Sequence, residues 1–446
     1  MDVLNQKFIV LGVSKSGFAV ANYLMQSGAD CYFFEELKSP KIDDAIERLT
    51  SLGAKRVSVE DVDKIISQID VLVISPGAPI NHPVAVKFKQ AGKRIIGELE
   101  FGFLQFIPRL VAVTGTNGKT TTVTLIDSIL KEANITSHLV GNIGVPLTSK
   151  VDSVALKDVV VAEVSSFQLE STNTFCPHIS CILNVTPDHL ERHYSMDNYI
   201  FLKKKIFKNQ RESEYAILNF DDQTVKNFYT EIKAKVIWVS TRERVEGTYA
   251  EGGKIYNFGE YVMDEKDLTL RGEHNLCDAL FAIAVCKLLG VSNDSIVNAL
   301  KSFKGVKHRT ELIATKGGID FYNDSKATNT ASTISALSMM TKPVILILGG
   351  SEKGEKYDEL FQKIKEYGVK QVVLMGASRF NMLDCAGNIG YHNITMTNTF
   401  ESAVKIANIF AKDGDAVLLS PACASFDSFS GYEERGEKFV KLVEEL

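Results

Sequence analysis

Residues 109–122, Arg-Leu-Val-Ala-Val-Thr-Gly-Thr-Asn-Gly-Lys-Thr-Thr-Thr, constrain this chain more than any other stretch. The apolar run Leu110 to Val113 reads as a buried strand. Gly115, Thr116, Asn117 and Gly118 then turn the chain. Lys119 and Thr120 open a segment, Thr121 to Lys131, whose apolar residues recur at helical spacing. A strand, a glycine-rich loop and a helix start bring backbone N–H groups and the positive end of a helix dipole to one point, which suits a phosphate. Lys119 suits the β/γ oxygens of a nucleotide and the Thr120 hydroxyl suits Mg²⁺. The spacing is not that of the usual phosphate loop, because the loop's first glycine is Gly115 and Val113 stands five residues before Gly118.

The rest of the composition narrows the setting. At 446 residues the chain has room for about three domains of roughly 150 residues each. A net charge of −5 argues against a nucleic-acid partner. The seven cysteines form no C-x-x-C pair and lie mostly in apolar runs, so buried reduced thiols are expected rather than a disulfide framework or a zinc site. The start of the chain lacks the basic-then-apolar pattern of a signal peptide, and no apolar run reaches about 18 residues. A soluble, cytoplasmic monomer with no membrane insertion is the expectation.

Three regions follow from the order of elements: 1–107, 108–305 and 306–446. The first opens with an apolar run at 8–12, then Gly12-Val13-Ser14-Lys15-Ser16-Gly17, a helix from Phe18 to Gln26, and a strand, Asp30 to Phe34, ending at Glu35-Glu36. That is a Rossmann-like opening, but Ser14 stands where a dinucleotide fold has its middle glycine, so a non-redox nucleotide site is as good a reading as NAD. Val71 to Ile74 runs into Ser75-Pro76-Gly77, a loop at the strand end where open α/β sheets bind ligands. In the central region, strands ending at Glu163 and before Asp188-His189 aim side chains at the phosphate loop, the usual place for metal carboxylates. A helix from Asp197 to Asn209 carries Lys203, Lys204 and Lys205, read first as a solvated face. A second helix, Leu276 to Leu289, follows Gly272-Glu273-His274-Asn275. The last region has strands at Ile319–Tyr322, Val344–Leu348, Gln371–Met375 and Ala416–Leu419 separated by helices. Fold class is therefore α/β: a Rossmann-like N-terminal domain, a central P-loop ATPase-like domain with a mostly parallel sheet, and a C-terminal doubly wound domain.

Together, Thr114 to Thr120, Glu163-Val164-Ser165-Ser166, Asn184 to His189, Gly272 to Asn275 and His308-Arg309 resemble the Mur ligase family of peptidoglycan synthesis, over essentially the whole chain. Asn323 to Asn329 and Leu419 to Ser425 resemble its D-glutamate-adding branch. The resemblance implies that ATP phosphorylates the carboxylate of UDP-N-acetylmuramoyl-L-alanine, and that the amine of D-glutamate then attacks the acyl phosphate. It also implies roles residue by residue. Gly115, Thr116, Asn117, Gly118, Lys119, Thr120 and Thr121 would cradle ATP phosphates, with Asn275, Arg309 and Asp324 completing the ATP site. Thr120 and Glu163 would hold one Mg²⁺, and His189 with a Lys203 carbamylated by CO₂ would hold a second. Asp188 would lie near the incoming amine, and Lys326 would face the reacting groups. Thr328, Lys353, Ser425 and Tyr432 would meet D-glutamate. Lys15, Ser16, Ser75, Pro76, Gly77, Asn142, Ser166 and Gln168 would meet the UDP-sugar substrate, and the third domain would close over the second. Three positions depart from the family pattern: Tyr432 for a frequent Phe, Asp278 for an Asn near adenine, and Glu36-Leu37 for a Thr-Arg pair at the uracil. Rival readings are a family member adding another amino acid, a non-catalytic nucleotide-binding module, and, weakest, a dehydrogenase.

Overall fold

The computed structural model describes residues 1–105, 108–352 and 356–446. Three sheets organise it. The first has five parallel strands in the spatial order Lys55–Arg56, Asp30–Phe34, Lys7–Leu11, Val71–Ile74 and Arg94–Gly97. Both faces are buried: Phe8 and Val10 pack into one core, Ile9 and Leu11 into another, as side chains alternate along the strand. Strand order reverses between Lys7–Leu11 and Val71–Ile74, so the loops after these two strands meet at the switch point. There the Ser75 hydroxyl donates to the Gly12 carbonyl at 2.7 Å. Gly17 is required beside them, since a Cβ would run into the Gly12 carbonyl oxygen.

The second sheet has nine strands, in the order Glu260–Asp264, Lys254–Asn257, Gly247–Glu251, Lys235–Ser240, Tyr215–Asn219, Ile179–Ile182, Arg109–Thr114, Val159–Glu163 and Ser137–Gly141. It is parallel from Ser137–Gly141 across to Gly247–Glu251. The far edge is antiparallel: Lys254–Asn257 pairs with Gly247–Glu251 on one side and with Glu260–Asp264 on the other. The sequence reading of alternating strands and helices misses this three-strand meander, although Gly252-Gly253 between its first two strands is a two-residue turn signal. The lysine-bearing helix is Met196–Lys204, shorter than its periodicity suggests, because the chain turns again from Lys205. The third sheet runs Glu311–Lys316, Ile319–Asn323, Ala416–Leu419, Val344–Gly349, Gln371–Met375 and Ile394–Met396, parallel except for its first pair.

The chain forms two compact units, Met1–Leu268 with Leu276–Phe303, and Thr269–Asn275 with Lys304–Leu446. The first two sheets share a unit because buried carboxylates join them. Glu100 accepts from the backbone N–H groups of Asn173, Thr174 and Phe175 and from the Thr174 hydroxyl, at 2.6–3.0 Å. Glu98 accepts from the Thr148 N–H at 2.7 Å. Four donors compensate a charge that burial alone would disfavour. No helix among the described residues is long and apolar enough to cross a membrane.

Candidate active site

The phosphate loop forms as its sequence dictates. Strand Arg109–Thr114 is buried from Leu110 onward, and helix Lys119–Glu132 begins directly after Gly118. Gly118 has φ +85°, a left-handed conformation that suits glycine. The loop is fixed by its neighbour: the Asn117 N–H donates to Asn184 Oδ1 at 2.8 Å, and Asn184 Nδ2 returns a bond to the Asn117 carbonyl at 3.1 Å. Thr116 Oγ1 donates to the Thr186 carbonyl at 3.1 Å and accepts from the Thr186 N–H at 3.0 Å. Lys119 Nζ arches over the loop to the carbonyls of Gly115 (2.9 Å) and Thr116 (2.7 Å). The Thr121 hydroxyl is buried and has no hydrogen-bond partner among the described residues. Asp278 lies under the loop, buried, and accepts from the Thr122 hydroxyl at 3.2 Å.

The strand ends deliver the other side chains. Thr120 Oγ1 donates to Glu163 Oε2 at 2.7 Å, and Asn142 Nδ2 donates to Glu163 Oε1 at 2.8 Å. Lys203 is 1% exposed, and its Nζ donates to the Gly115 carbonyl at 2.8 Å. So of the three lysines it is Lys203 that turns into the site, while Lys204 pairs with Glu231. Burial, and then the positive charge of Lys119, hold the Lys203 amine well below the usual lysine range; Asp188 opposes them. His189 has φ +55° and sits 3.7 Å from Asp188 Oδ2, with its ring against Phe167 at 4.9 Å between centroids. Tyr199 is a participant that the sequence reading misses. Its ring lies 4.5 Å from Lys203 Nζ and its hydroxyl 3.2 Å from Thr116 Oγ1. The available signal is that Tyr199 precedes Lys203 by one helical turn.

The residues expected to meet a UDP-sugar gather on the same unit. Lys15 reaches the Gly144 carbonyl with its ammonium, and Ser16 is half-buried. Ser75 is buried, Pro76 half-buried and Gly77 exposed. Ser166 is buried against His193 Nε2 at 2.9 Å. Gln168 uses its side-chain oxygen in a capping box with Ser165, accepting from its N–H at 3.0 Å.

The second unit brings together Arg309, Asp324, Lys326 and Tyr432. Asp324 is buried and accepts from Ser420 Oγ at 2.6 Å and from the Thr310 N–H at 3.0 Å. Burial pushes its carboxyl up to about 6, against the pull of Ser420 and Arg309. The Arg309 Nε is buried without a hydrogen-bond partner among the described residues. Lys326 Nζ lies 5.0 Å from the centre of the Tyr432 ring. Arg435, 1% exposed, donates to the carbonyls of Ser325, Cys423 and Ala424, which bolts the loops carrying Lys326 and Ser425 to the final helix. Ser425 is buried, Thr328 half-buried, and Asn275 Nδ2 donates to the Arg271 carbonyl at 2.7 Å. Lys353 lies outside the described residues.

A phosphate loop with a carboxylate on its threonine, a buried amine at its first carbonyl, and a further α/β unit rich in polar loops define a nucleotide-dependent enzyme. Comparison with known proteins makes the assignment specific. Residues 6–97 match the Mur ligase MurD-like N-terminal domain, 113–286 the Mur ligase middle domain, and 308–423 the Mur ligase glutamate ligase domain. The chain belongs to the Mur ligase family. It is 40% identical over 454 residues to a protein of Lachnospira eligens named UDP-N-acetylmuramoylalanine--D-glutamate ligase, covering 100% of both chains. A protein of the same name from Clostridioides difficile is 38% identical over 451 residues, again with 100% of both covered. Among solved structures, the MurC ligase of Thermotoga maritima superposes with a TM-score of 0.63 at 18% identity, over 99% of this chain and 100% of that one. The MurF ligase of the same organism, solved in complex with ADP, gives 0.62 at 18% identity, over 100% and 99%. These structural likenesses carry the fold.

Proposed function

We propose that this chain is an ATP-dependent amide ligase that adds D-glutamate to UDP-N-acetylmuramoyl-L-alanine in peptidoglycan precursor synthesis. The observation that carries the reading is the end-to-end match to ligases of that name. The enzyme acts in the cytoplasm as a monomer.

The chemistry explains why these residue types are needed. A substrate carboxylate attacks the γ-phosphorus of ATP, and ADP leaves. Two anions must approach each other, so Lys119 and the loop N–H groups reduce their repulsion. The D-glutamate amine then attacks the acyl carbon, and phosphate departs as the amide forms. Asp188 stands near the incoming amine. Arg309, Asp324 and Asn275 hold ATP, and Lys326 faces the reacting groups. Thr328, Lys353, Ser425 and Tyr432 receive D-glutamate, whose two carboxylates suit lysine and hydroxyl donors. Lys15, Ser16, Ser75, Pro76, Gly77, Asn142, Ser166 and Gln168 receive the UDP-sugar.

The donor set also suits magnesium. Thr120 and Glu163 offer hard oxygen atoms at the loop and would hold one Mg²⁺; His189 and Lys203 would hold another. Magnesium supplies charge neutralisation at phosphate oxygens. For Lys203 to serve, the nitrogen of its neutral amine must bond to the carbon of CO₂ and release one proton, which turns the amine into a carbamate anion. Burial, which disfavours the ammonium form, supports this, since only the free amine has the lone pair to react.

The test is phosphate release from ATP with Mg²⁺ and UDP-N-acetylmuramoyl-L-alanine, offering D-glutamate, L-lysine, diaminopimelate or no acceptor. Release with D-glutamate alone, and a product heavier by one glutamyl residue, is expected. Release with another acceptor would move the specificity, and no acceptor-dependent release would withdraw the ligase reading.

A further inference from the structure

His193 has no part in the site as read from sequence, yet it is fully buried within it. Its ring stacks on Tyr199, 5.3 Å between centroids and 29° between planes, and lies against Phe167 at 5.3 Å. Nε2 is 2.9 Å from Ser166 Oγ, while Nδ1 is buried with no hydrogen-bond partner among the described residues. Burial disfavours the imidazolium, so the ring carries one N–H.

Two tautomers are open to a neutral imidazole, and they differ in what they leave unpaired. With the proton on Nδ1, a buried N–H donor is orphaned, and the Ser166 proton is drawn inward to Nε2. With the proton on Nε2, the ring donates to Ser166 Oγ, and only a lone pair is left at Nδ1. Orphaned buried N–H groups are rarer in native proteins than under-satisfied acceptors. The network around Tyr199 is directional too. The single Thr116 hydroxyl proton goes to the Thr186 carbonyl, so Tyr199 must donate to Thr116 Oγ1. The His193 ring is therefore clamped by a tyrosine that is itself fixed to the phosphate loop.

We propose that His193 is a positioning residue: from Nε2 it donates to Ser166 Oγ, and so commits the Ser166 hydroxyl to donating its own proton to an anionic oxygen of the bound substrate. Ser166 follows Glu163 by three residues at the same strand end, so that oxygen belongs to the part of the substrate near the phosphate loop. The identity of the acceptor rests on the proposed function; the direction of the His193 bond does not.

Two measurements test it. Nitrogen-15 NMR of the histidine-labelled full chain, with the His193 resonances assigned through a His193→Phe variant, reads the tautomer directly. A protonated Nε2 and bare Nδ1 are expected; a protonated Nδ1 overturns the proposal. That result stands even if no UDP-sugar is turned over, and so separates failure of this inference from failure of the ligase reading. Kinetically, His193→Phe keeps a ring against Tyr199 and Phe167 but removes the donor. With UDP-N-acetylmuramoyl-L-alanine, KM is expected to rise about tenfold, in line with a hydrogen bond to a charged group, with little change in kcat. In a Ser166→Ala background the same substitution should add nothing further. Independent, multiplying effects would show that His193 acts through packing alone and would overturn the proposal. If His193→Phe melts too low to assay, the wild-type tautomer decides.

Discussion

Two loops in the first unit share one plan, a buried strand, a glycine turn and a helix, and they end up unlike. After Lys7–Leu11 the chain turns into helix Lys15–Gln26; after Arg109–Thr114 it turns into helix Lys119–Glu132. The difference lies in what closes each turn. In the first, a carboxylate does so: Glu35 Oε2 accepts from the Val13 N–H at 2.7 Å and Oε1 from the Leu37 N–H at 2.8 Å. In the second, a neutral amide does so, Asn184 on Asn117. A turn closed by a carboxylate already holds an anion, whereas one closed by an amide keeps its positive potential for a ligand. Glycine spacing alone does not separate these cases; the charge of the closing side chain does.

The contrast is broken most simply at the lysines. Lys119→Ala should lower phosphate release by about a thousandfold or more, since it removes a charge aimed at the transferring phosphate. Lys15→Ala, the matching change in the first loop, should alter KM for the UDP-sugar only a few-fold. Comparable losses in both variants would end the distinction. Next in size is Lys203→Ala, expected to lose on the order of a hundredfold or more of the activity. Added short carboxylic acids should restore part of it by replacing the lost carboxylate. Full activity without them would remove the carbamate, and leave Lys203 as a bolt on the Gly115 carbonyl.

These contrasts also mark what a sequence can and cannot display. Asp30–Phe34, Val71–Ile74, Gln371–Met375 and Ala416–Leu419 are legible to the residue, because parallel strands buried on both faces are continuous apolar runs. The phosphate loop is legible because its whole geometry is local. The three-strand meander over 247–264 is not, since tyrosines and charged residues interrupt its apolar pattern. Nor are the partnerships that decide chemistry. Thr120 with Glu163, Asn117 with Asn184 and Ser166 with His193 join residues 27 to 67 apart, and no spacing rule predicts them. Gln168 shows the converse: Ser165 and Gln168 carry a local capping signature that predicts where its side-chain oxygen goes.

A subtler change would sharpen the role of the closing side chain. Asn184→Asp keeps an acceptor for the Asn117 N–H but loses the donor to its carbonyl, and places a negative charge beside the phosphate loop. KM for ATP should rise about tenfold, equivalent to about 1.4 kcal/mol, and the rise should shrink at high salt as the charge is screened. An unchanged KM would mean that the loop's backbone geometry, rather than its net charge, sets phosphate affinity.

The reciprocal change, Glu35→Gln, has the smallest expected effect and isolates structure from charge. Glutamine offers one oxygen to the two N–H groups of Val13 and Leu37, and turns its own NH₂ toward the other. One donor is left unpaired, which costs about 1–3 kcal/mol where it is the buried Val13 N–H and less where it is the part-buried Leu37 N–H. The unfolding midpoint should fall by a few degrees, while turnover at saturating substrates should hold. If charge at the closing position governs anion affinity as argued, the variant should also bind inorganic phosphate at the first loop more tightly than the parent, even though it is less stable. Loss of stability with no gain in phosphate binding would show that Glu35 serves only to shape the turn, and that the charge of the closing side chain is not what separates the two loops, whose helices open alike on Lys15-Ser16 and Lys119-Thr120.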